Sequence, residues 1–288
     1  MYKDVIDRLS DAAEFIENAL NKRISELRAG EMCEAMSYSV LGGGKRIRAF
    51  LTLEFCKMFG GEASDAEAYA CAVEMVHAYS LIHDDLPCMD NDDMRRGKPS
   101  CHKAFGETIA LLAGDALLTY AFETAADGKN NAINAVSVLA KSAGALGMCR
   151  GQELDLLCEC HNYNELENLH NLKTGALIKA AATLGYLASG AEITEDNLNK
   201  IKNYALSVGL AFQIIDDLLD VRSTAEELGK PIGSDTKNGK KTVLSYMSEE
   251  QADKIAMELS IAASKVFESM ENSDVVCKLP LYLLSRTK

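Results

Sequence analysis

Two clusters of aspartates in the 288-residue sequence have the composition and spacing to do chemistry. The first reads Ser80-Leu81-Ile82-His83-Asp84-Asp85-Leu86-Pro87-Cys88-Met89-Asp90 and runs on into Asn91-Asp92-Asp93. The second reads Phe212-Gln213-Ile214-Ile215-Asp216-Asp217-Leu218-Leu219-Asp220. Each closes an apolar, helix-forming run, where the helix dipole is negative and the approach hydrophobic, so something cationic must offset the carboxylates. At about 100° per residue, Asp216 and Asp220 lie one turn apart on one face and converge. Asp84 and Asp90, six apart, would diverge on a straight helix, but Pro87 breaks it and a loop can fold Asp90 back toward Asp84. Oxygen donors alone, with no Cys or His at ligand spacing, favour Mg²⁺. The alternative is a solvated charge run at two helix ends, and Leu81-Ile82 and Ile214-Ile215 just upstream argue against it.

The cations are gathered as unevenly. Gly42-Gly43-Gly44-Lys45-Arg46-Ile47-Arg48 sets three of them just after a glycine run at a helix start, where backbone and side-chain donors can hold a phosphate. Arg95-Arg96-Gly97-Lys98 follows the first aspartate cluster, and Lys230 and Lys240-Lys241 follow the second. A basic segment downstream of each acidic one suits a diphosphate held jointly by Mg²⁺ and Arg or Lys, and two sets imply two diphosphates. The chain as a whole carries a net charge of −13, which excludes a general nucleic-acid binder.

Two other chemistries fit less well. Gly-Lys occurs at Gly44-Lys45, Gly97-Lys98, Gly229-Lys230 and Gly239-Lys240, but none is followed by Ser or Thr in a phosphate-loop pattern and no strand precedes them, so an ATPase is disfavoured. Glu74-x-x-His77 and Glu167-x-x-His170 have the spacing of helical di-iron carboxylate proteins. That reading needs two further inward Glu residues, places one pair in a polar stretch and leaves both aspartate clusters unexplained.

The elements that must position these residues are helices. Four prolines, abundant Ala, Leu, Glu, Lys and Met, and the lack of alternating β-branched runs predict an all-α protein. Helical spacing runs over 4–28, 45–59, 64–82, 108–126, 131–148, 173–189, 194–219 and 249–270, with short gaps and no Pro/Ser-rich linker. About ten helices in one domain, 1–288, are expected. Hydrophobic residues at 48% supply a large core and exclude global disorder. Nine cysteines without a C-x-x-C pair read as thiols of a reducing cytosol. No run of 18 apolar residues marks a membrane span and the N-terminal residues do not read as a signal peptide, so a cytoplasmic protein is expected.

Taken together these residues resemble the trans-isoprenyl diphosphate synthases, in particular the bacterial-type farnesyl diphosphate synthases. Asp84 to Asp90 resembles the family's first Asp-rich motif in its form with two extra residues, Arg95-Arg96-Gly97 its Arg-Arg-Gly, and Asp216 to Asp220 its second Asp-rich motif. Gly43 to Arg48, the Gly-Gln-x-x-Asp of Gly151 to Asp155, and Lys173-Thr174-Gly175 also match, in order, over about residues 40 to 245. The resemblance implies a bundle of about ten or more helices around a deep central cavity, the isoprenoid synthase fold, acting as a homodimer. It also implies Mg²⁺-assisted condensation of isopentenyl diphosphate with dimethylallyl or geranyl diphosphate. By carry-over, Asp84, Asp90, Asp216 and Asp220 hold Mg²⁺, with Asp85 and Asp217 in support. Lys45, Arg48, His77 and Arg96 bind isopentenyl diphosphate, and Arg95, Lys230 and Lys240 bind the allylic diphosphate. Lys173, Thr174 and Gln213 stabilise the allylic cation.

Tyr79 and Ser80, one turn before Asp84, fall where the family sets product length; a bulky Tyr79 implies the C15 product, farnesyl diphosphate, with geranylgeranyl diphosphate as the alternative. Ala49 stands where the family has Pro, and Ser100 where it has Thr. The segment 274–288 carries no readable motif, although Arg286 and Lys288 could cover a site. A terpene cyclase would not need Lys45, Arg48 and Arg96 for a second diphosphate, and a non-catalytic subunit would be expected to lack one aspartate cluster.

Overall fold

The computed structural model describes residues 2–157, 160–222 and 241–285, and over these the chain is helical. In chain order the helices are α1 (Lys3–Ser25), α2 (Glu31–Val40), α3 (Ile47–Met58), α4 (Ala63–Asp84), α5 (Cys101–Phe105), α6 (Glu107–Ala126), α7 (Ala132–Ala143), α8 (Met148–Leu157), α9 (Tyr163–His170), α10 (Ala176–Ala188), α11 (Glu195–Arg222), α12 (Glu249–Lys265) and α13 (Asp274–Leu284). A π-helical turn, Asn171–Gly175, joins α9 to α10, and a 3₁₀ turn, Val243–Ser245, precedes α12. The all-α expectation holds, with one addition: a two-residue hairpin pairs Met94–Arg95 with Lys98–Pro99. Short α2, α5, α8, α9 and the C-terminal α13 also lie outside the periodic stretches of the sequence.

The described residues form two compact units, one of Ile6–Ala140 with Leu184–Ala191, the other of Met1–Val5, Lys141–Thr183 and Glu192–Lys288. In the first unit α4 is the central element. Its small and apolar residues from Ala66 to Met75 are buried almost all round, which suits a helix enclosed by others. A capping box, with the Glu62 N–H donating to Asp65 Oδ2 at 3.1 Å, fixes its start. It ends at Asp84, three residues before Pro87, as the proline demands. Phe50, Phe55, Tyr69, Met75 and Leu117, all fully buried, fill the core between α3, α4 and α6.

In the second unit the last turns of α11 bury Leu210, Ile214, Ile215 and Leu218 against Leu166 and Leu169 of α9 and Ala252 and Ala256 of α12. Each such aliphatic contributes about 1.5–3 kcal/mol on burial, enough together to hold carboxylates at a helix end where the dipole opposes them. A Ser248/Gln251 capping box starts α12, and Arg222, at the end of α11, pairs with Glu249 at 2.9 Å and Asp253 at 2.6 Å.

Candidate active site

In the first unit, the loop after α4 turns back on itself. The Asp90 N–H donates to the Asp84 carbonyl at 2.8 Å, so the main chain brings the two outer aspartates of the first cluster side by side despite their six-residue separation. Asp84 and Asp90 are both half-exposed, whereas Asp85 between them is buried at 2% exposure. Asp85 faces the other way and takes a two-pronged hydrogen bond from Arg95, with Nε 3.0 Å from Oδ1 and 3.2 Å from Oδ2. Burial raises its carboxyl above the ordinary range while Arg95 works against that. Asp85 is thus a brace for Arg95, and the hairpin presents the arginines: Arg96 and Gly97 occupy its two turn positions with φ of 53° and 74°, the left-handed pair of a type I′ turn. A left-handed arginine is strained, and such strain tends to be retained at functional sites.

Arg96 folds onto the glycine run, donating to the Gly43 carbonyl. Gly44, at φ 120°, admits it: a Cβ there would sit 2.9 Å from the Arg96 Cζ. The three cations of Lys45 to Arg48 then separate by role. Lys45 is exposed. Arg46, left-handed at φ 49° and 4% exposed, turns inward to Glu74 and Glu17, each at 3.3 Å, and to the Val40 carbonyl at 2.7 Å. It is therefore an internal tie, where the sequence grouped it with the phosphate-holding cations. Glu74 also accepts from the Ala49 N–H at 3.1 Å, which occupies its carboxylate and ends the di-iron reading of Glu74-x-x-His77.

Arg48 differs from Arg46: its Nε is buried without a hydrogen-bond partner among the described residues. Burial, with Arg48, Arg96, Arg46 and Arg95 nearby, holds the His77 pKa well below its usual range. The imidazole is therefore neutral at pH 7 and serves as a hydrogen-bonding group, not as a further cation. Arg46 and Arg95 are matched by Glu74, Glu17 and Asp85, but Arg48 and Arg96 make no ion pair among the described residues, which leaves positive charge beside a neutral imidazole, an arrangement suited to a polyvalent anion.

In the second unit the three predicted cation-stabilising residues come together. Lys173 and Thr174 lie on the π turn, a helix distortion frequent at functional sites. The Thr174 hydroxyl donates to Gln213 Oε1 at 3.3 Å, Gln213 Nε2 donates to Asp217 Oδ1 at 3.1 Å, and Asp217 Oδ2 accepts the Val243 N–H at 2.9 Å. Asp217, 5% exposed, thus orients Gln213 and caps the 3₁₀ turn. Asp216 is half-exposed and Asp220 buried, one turn apart on α11. Lys173 Nζ lies 2.6 Å from Asp155 Oδ2, a partner that the sequence motif contained without revealing its role. Lys230 and Lys240, and also Arg286 and Lys288, lie outside the described residues.

Among the described residues no three His, Cys, Asp or Glu side chains gather into a set that would hold an ion alone. Each aspartate pair instead offers hard oxygens that fit an ion sharing its shell with ligand phosphates and water, the habit of Mg²⁺.

The polyprenyl synthetase family model matches residues 30–278. A geranylgeranyl pyrophosphate synthase of Capsicum annuum chloroplasts is 42% identical over 272 residues, 92% of this chain and 73% of that protein. The crystal structure of an FPP/GFPP synthase from Zymomonas mobilis superimposes with a TM-score of 0.87 at 32% identity, covering 99% of this chain and all of that one. A geranyltransferase from Helicobacter pylori, crystallised with magnesium and isoprenyl diphosphate, gives 0.81 at 31% identity over 97% of each chain. The fold is the all-α isoprenoid synthase fold, shared with prenyltransferases of known structure. The chain belongs to the polyprenyl synthetase family.

Proposed function

We propose that this prenyltransferase condenses isopentenyl diphosphate with dimethylallyl and then geranyl diphosphate, releasing diphosphate and giving (2E,6E)-farnesyl diphosphate. The observation that carries the reading is the pairing of a brace-held arginine hairpin with Arg48 and neutral His77 beside the Asp84/Asp90 clip. Asp84 with Asp90, and Asp216 with Asp220, would be the carboxylates to hold Mg²⁺, which when bound would supply the charge that makes a diphosphate a better leaving group. Arg48, His77, Arg96 and Lys45 bind isopentenyl diphosphate, and Arg95 the allylic diphosphate, joined by Lys230 and Lys240. The Thr174 hydroxyl and the Gln213 amide, oriented by Asp217, offer fixed dipoles to the allylic cation without a nucleophile that would trap it.

Tyr79 supports the C15 product: it is 6% exposed, five residues before Asp84, and packs edge-on against His83 with ring centroids 5.7 Å apart. His83 is in turn set by the Leu111 carbonyl, 3.1 Å from Nε2, and by Gly114, where a Cβ would sit 2.1 Å from the ring nitrogen. A geranylgeranyl product is the second reading, favoured by the name of the Capsicum relative. Incubation with the two C5 diphosphates and Mg²⁺, followed by product sizing, decides between them. A C15 product in the wild type that lengthens in Tyr79→Ala is expected, a C20 wild-type product establishes the second reading, and no condensation overturns both. Asp84→Ala and Asp216→Ala should each abolish turnover.

We read the chain as one polyprenyl synthetase domain, since one family model spans both units, working in the cytoplasm as a homodimer. The dimer is supported by an apolar groove of about 840 Å³ between the α1–α2 connection and α6, lined by Leu27, Met32, Met36, Ile109 and Leu112 among others. By length and composition α6 would pass for a membrane span, as would the stretch Ala132–Leu157. We propose that α6 is not one, because Ala110, Ala113, Gly114 and Leu117 are buried on the protein side and Glu107, Asp115 and Glu123 punctuate it.

A further inference from the structure

Helix α8 grips Lys173 at two points. At one, Gly151 lets the π turn approach so closely that a Cβ on it would lie 2.2 Å from the Lys173 nitrogen and 2.5 Å from its Cα. At the other, one helical turn further along the same face, Asp155 holds the Lys173 ammonium at 2.6 Å. The pair is mostly shielded, with side-chain exposures of 27% for Lys173 and 15% for Asp155. Around it the structure leaves polar demand unmet: the Gln152 amide, His170 Nδ1 and Asn171 Oδ1 are buried with no hydrogen-bond partner among the described residues. Buried polar groups of that kind mark places completed by water or ligand.

We infer that Asp155 is a positioning residue that acts through Lys173, fixing where its ammonium points and cancelling its charge toward the substrate carbon. The inference rests on the prenyltransferase reading and adds a role that reading does not contain. A lysine beside a developing allylic cation would repel it; a lysine neutralised by a carboxylate behind it would not. An ammonium has three donors, and one bond to Asp155 leaves others for diphosphate oxygens. The π turn contributes the geometry, since it lifts Lys173 out of the regular α-helical path while Gly151 keeps its main chain pinned.

A double-mutant cycle tests this on the full chain with Mg²⁺ and both substrates. Asp155→Asn should lower kcat about tenfold or more with KM for isopentenyl diphosphate nearly unchanged. Lys173→Ala should be equally impaired, and adding Asp155→Asn to it should change kcat by less than about twofold, because the carboxylate then has nothing to act through. A merely structural Asp155 would depress activity by the same factor in both backgrounds and lower Tm in step, and that outcome overturns the inference, as does an unimpaired Asp155→Asn. Should Asp155→Asn fail to fold, Asp155→Glu carries the same cycle: it keeps the charge, displaces it by one methylene, and should lose kcat only when Lys173 is present. Absence of wild-type condensation would instead remove the underlying reading, so the two failures are distinguishable.

Discussion

At the scale of single residues, the buried charges of Arg46, Glu74 and Asp85 are tied to partners while the Arg48 Nε is left open, and the ties make measurable predictions. Arg46 and Glu74 are each nearly inaccessible and answer one another, so Arg46→Met strands a buried carboxylate and should cost about 3–5 kcal/mol in a denaturant titration. The histidines predict the pH response. Burial pushes His170 down to about 4, and His77 is lowered by burial and by Arg48. Both therefore bind a proton more readily in the unfolded chain, so their contribution is intact above the ordinary histidine range and is lost as pH falls below it. For His170 the loss between pH 6.5 and 4 amounts to about 1–3 kcal/mol. His170→Gln should show a smaller drop in Tm between pH 7 and pH 5 than the wild type. The aspartates, arginines and Lys-Thr pair proposed for the site stand out in the sequence because their types and spacing are local. The partnerships Arg46–Glu74 and Lys173–Asp155 do not, since they join residues 28 and 18 positions apart that only folding brings together.

Between residues and the molecule stand the elements, and here close approaches do the positioning. Gly151→Ala would drive a methyl into the Lys173 backbone, and since main chain cannot rotate away, kcat should fall about a hundredfold with Tm also reduced. Ala49→Pro is a subtler case: proline suits a helix start, but here it removes the N–H that Glu74 accepts, so it should destabilise by about 1–3 kcal/mol. The residue that departs from the family pattern is thus one this chain uses. Helix α4 and its stop at Pro87 were readable because apolar periodicity and a breaker coincide. The hairpin was not, since nothing in Arg95-Arg96-Gly97-Lys98 announces an arginine at positive φ. Helix α2, only ten residues long, is too short for an apolar period to stand out, yet buries Ala35, Met36 and Val40.

For the whole molecule, composition gave the class and little more. The acidic surplus was informative only once its location was considered, with carboxylates beside sites for small polyanions. Leu112 on α6, 46% exposed, lines the apolar groove together with Leu27, Met32 and Ile109, a surface larger than isolated exposed leucines require. The proposed homodimer predicts that the wild type runs as a dimer in light scattering behind size exclusion and that Leu112→Glu runs as a monomer retaining helical circular dichroism.

The main-chain clip between Asp84 and Asp90 also turns a side effect of the loop into a tool. Because an N–H and a carbonyl make the closure, the residues at its crest are not needed to hold it. Cys88 sits there, and among the described cysteines only it and Cys149 are exposed. With Cys149 replaced by Ser, a maleimide fluorophore on Cys88 would ride between the two aspartates. On the proposed role of Asp84 and Asp90, it would report ion and diphosphate arrival as a change in emission, an optical gauge independent of turnover.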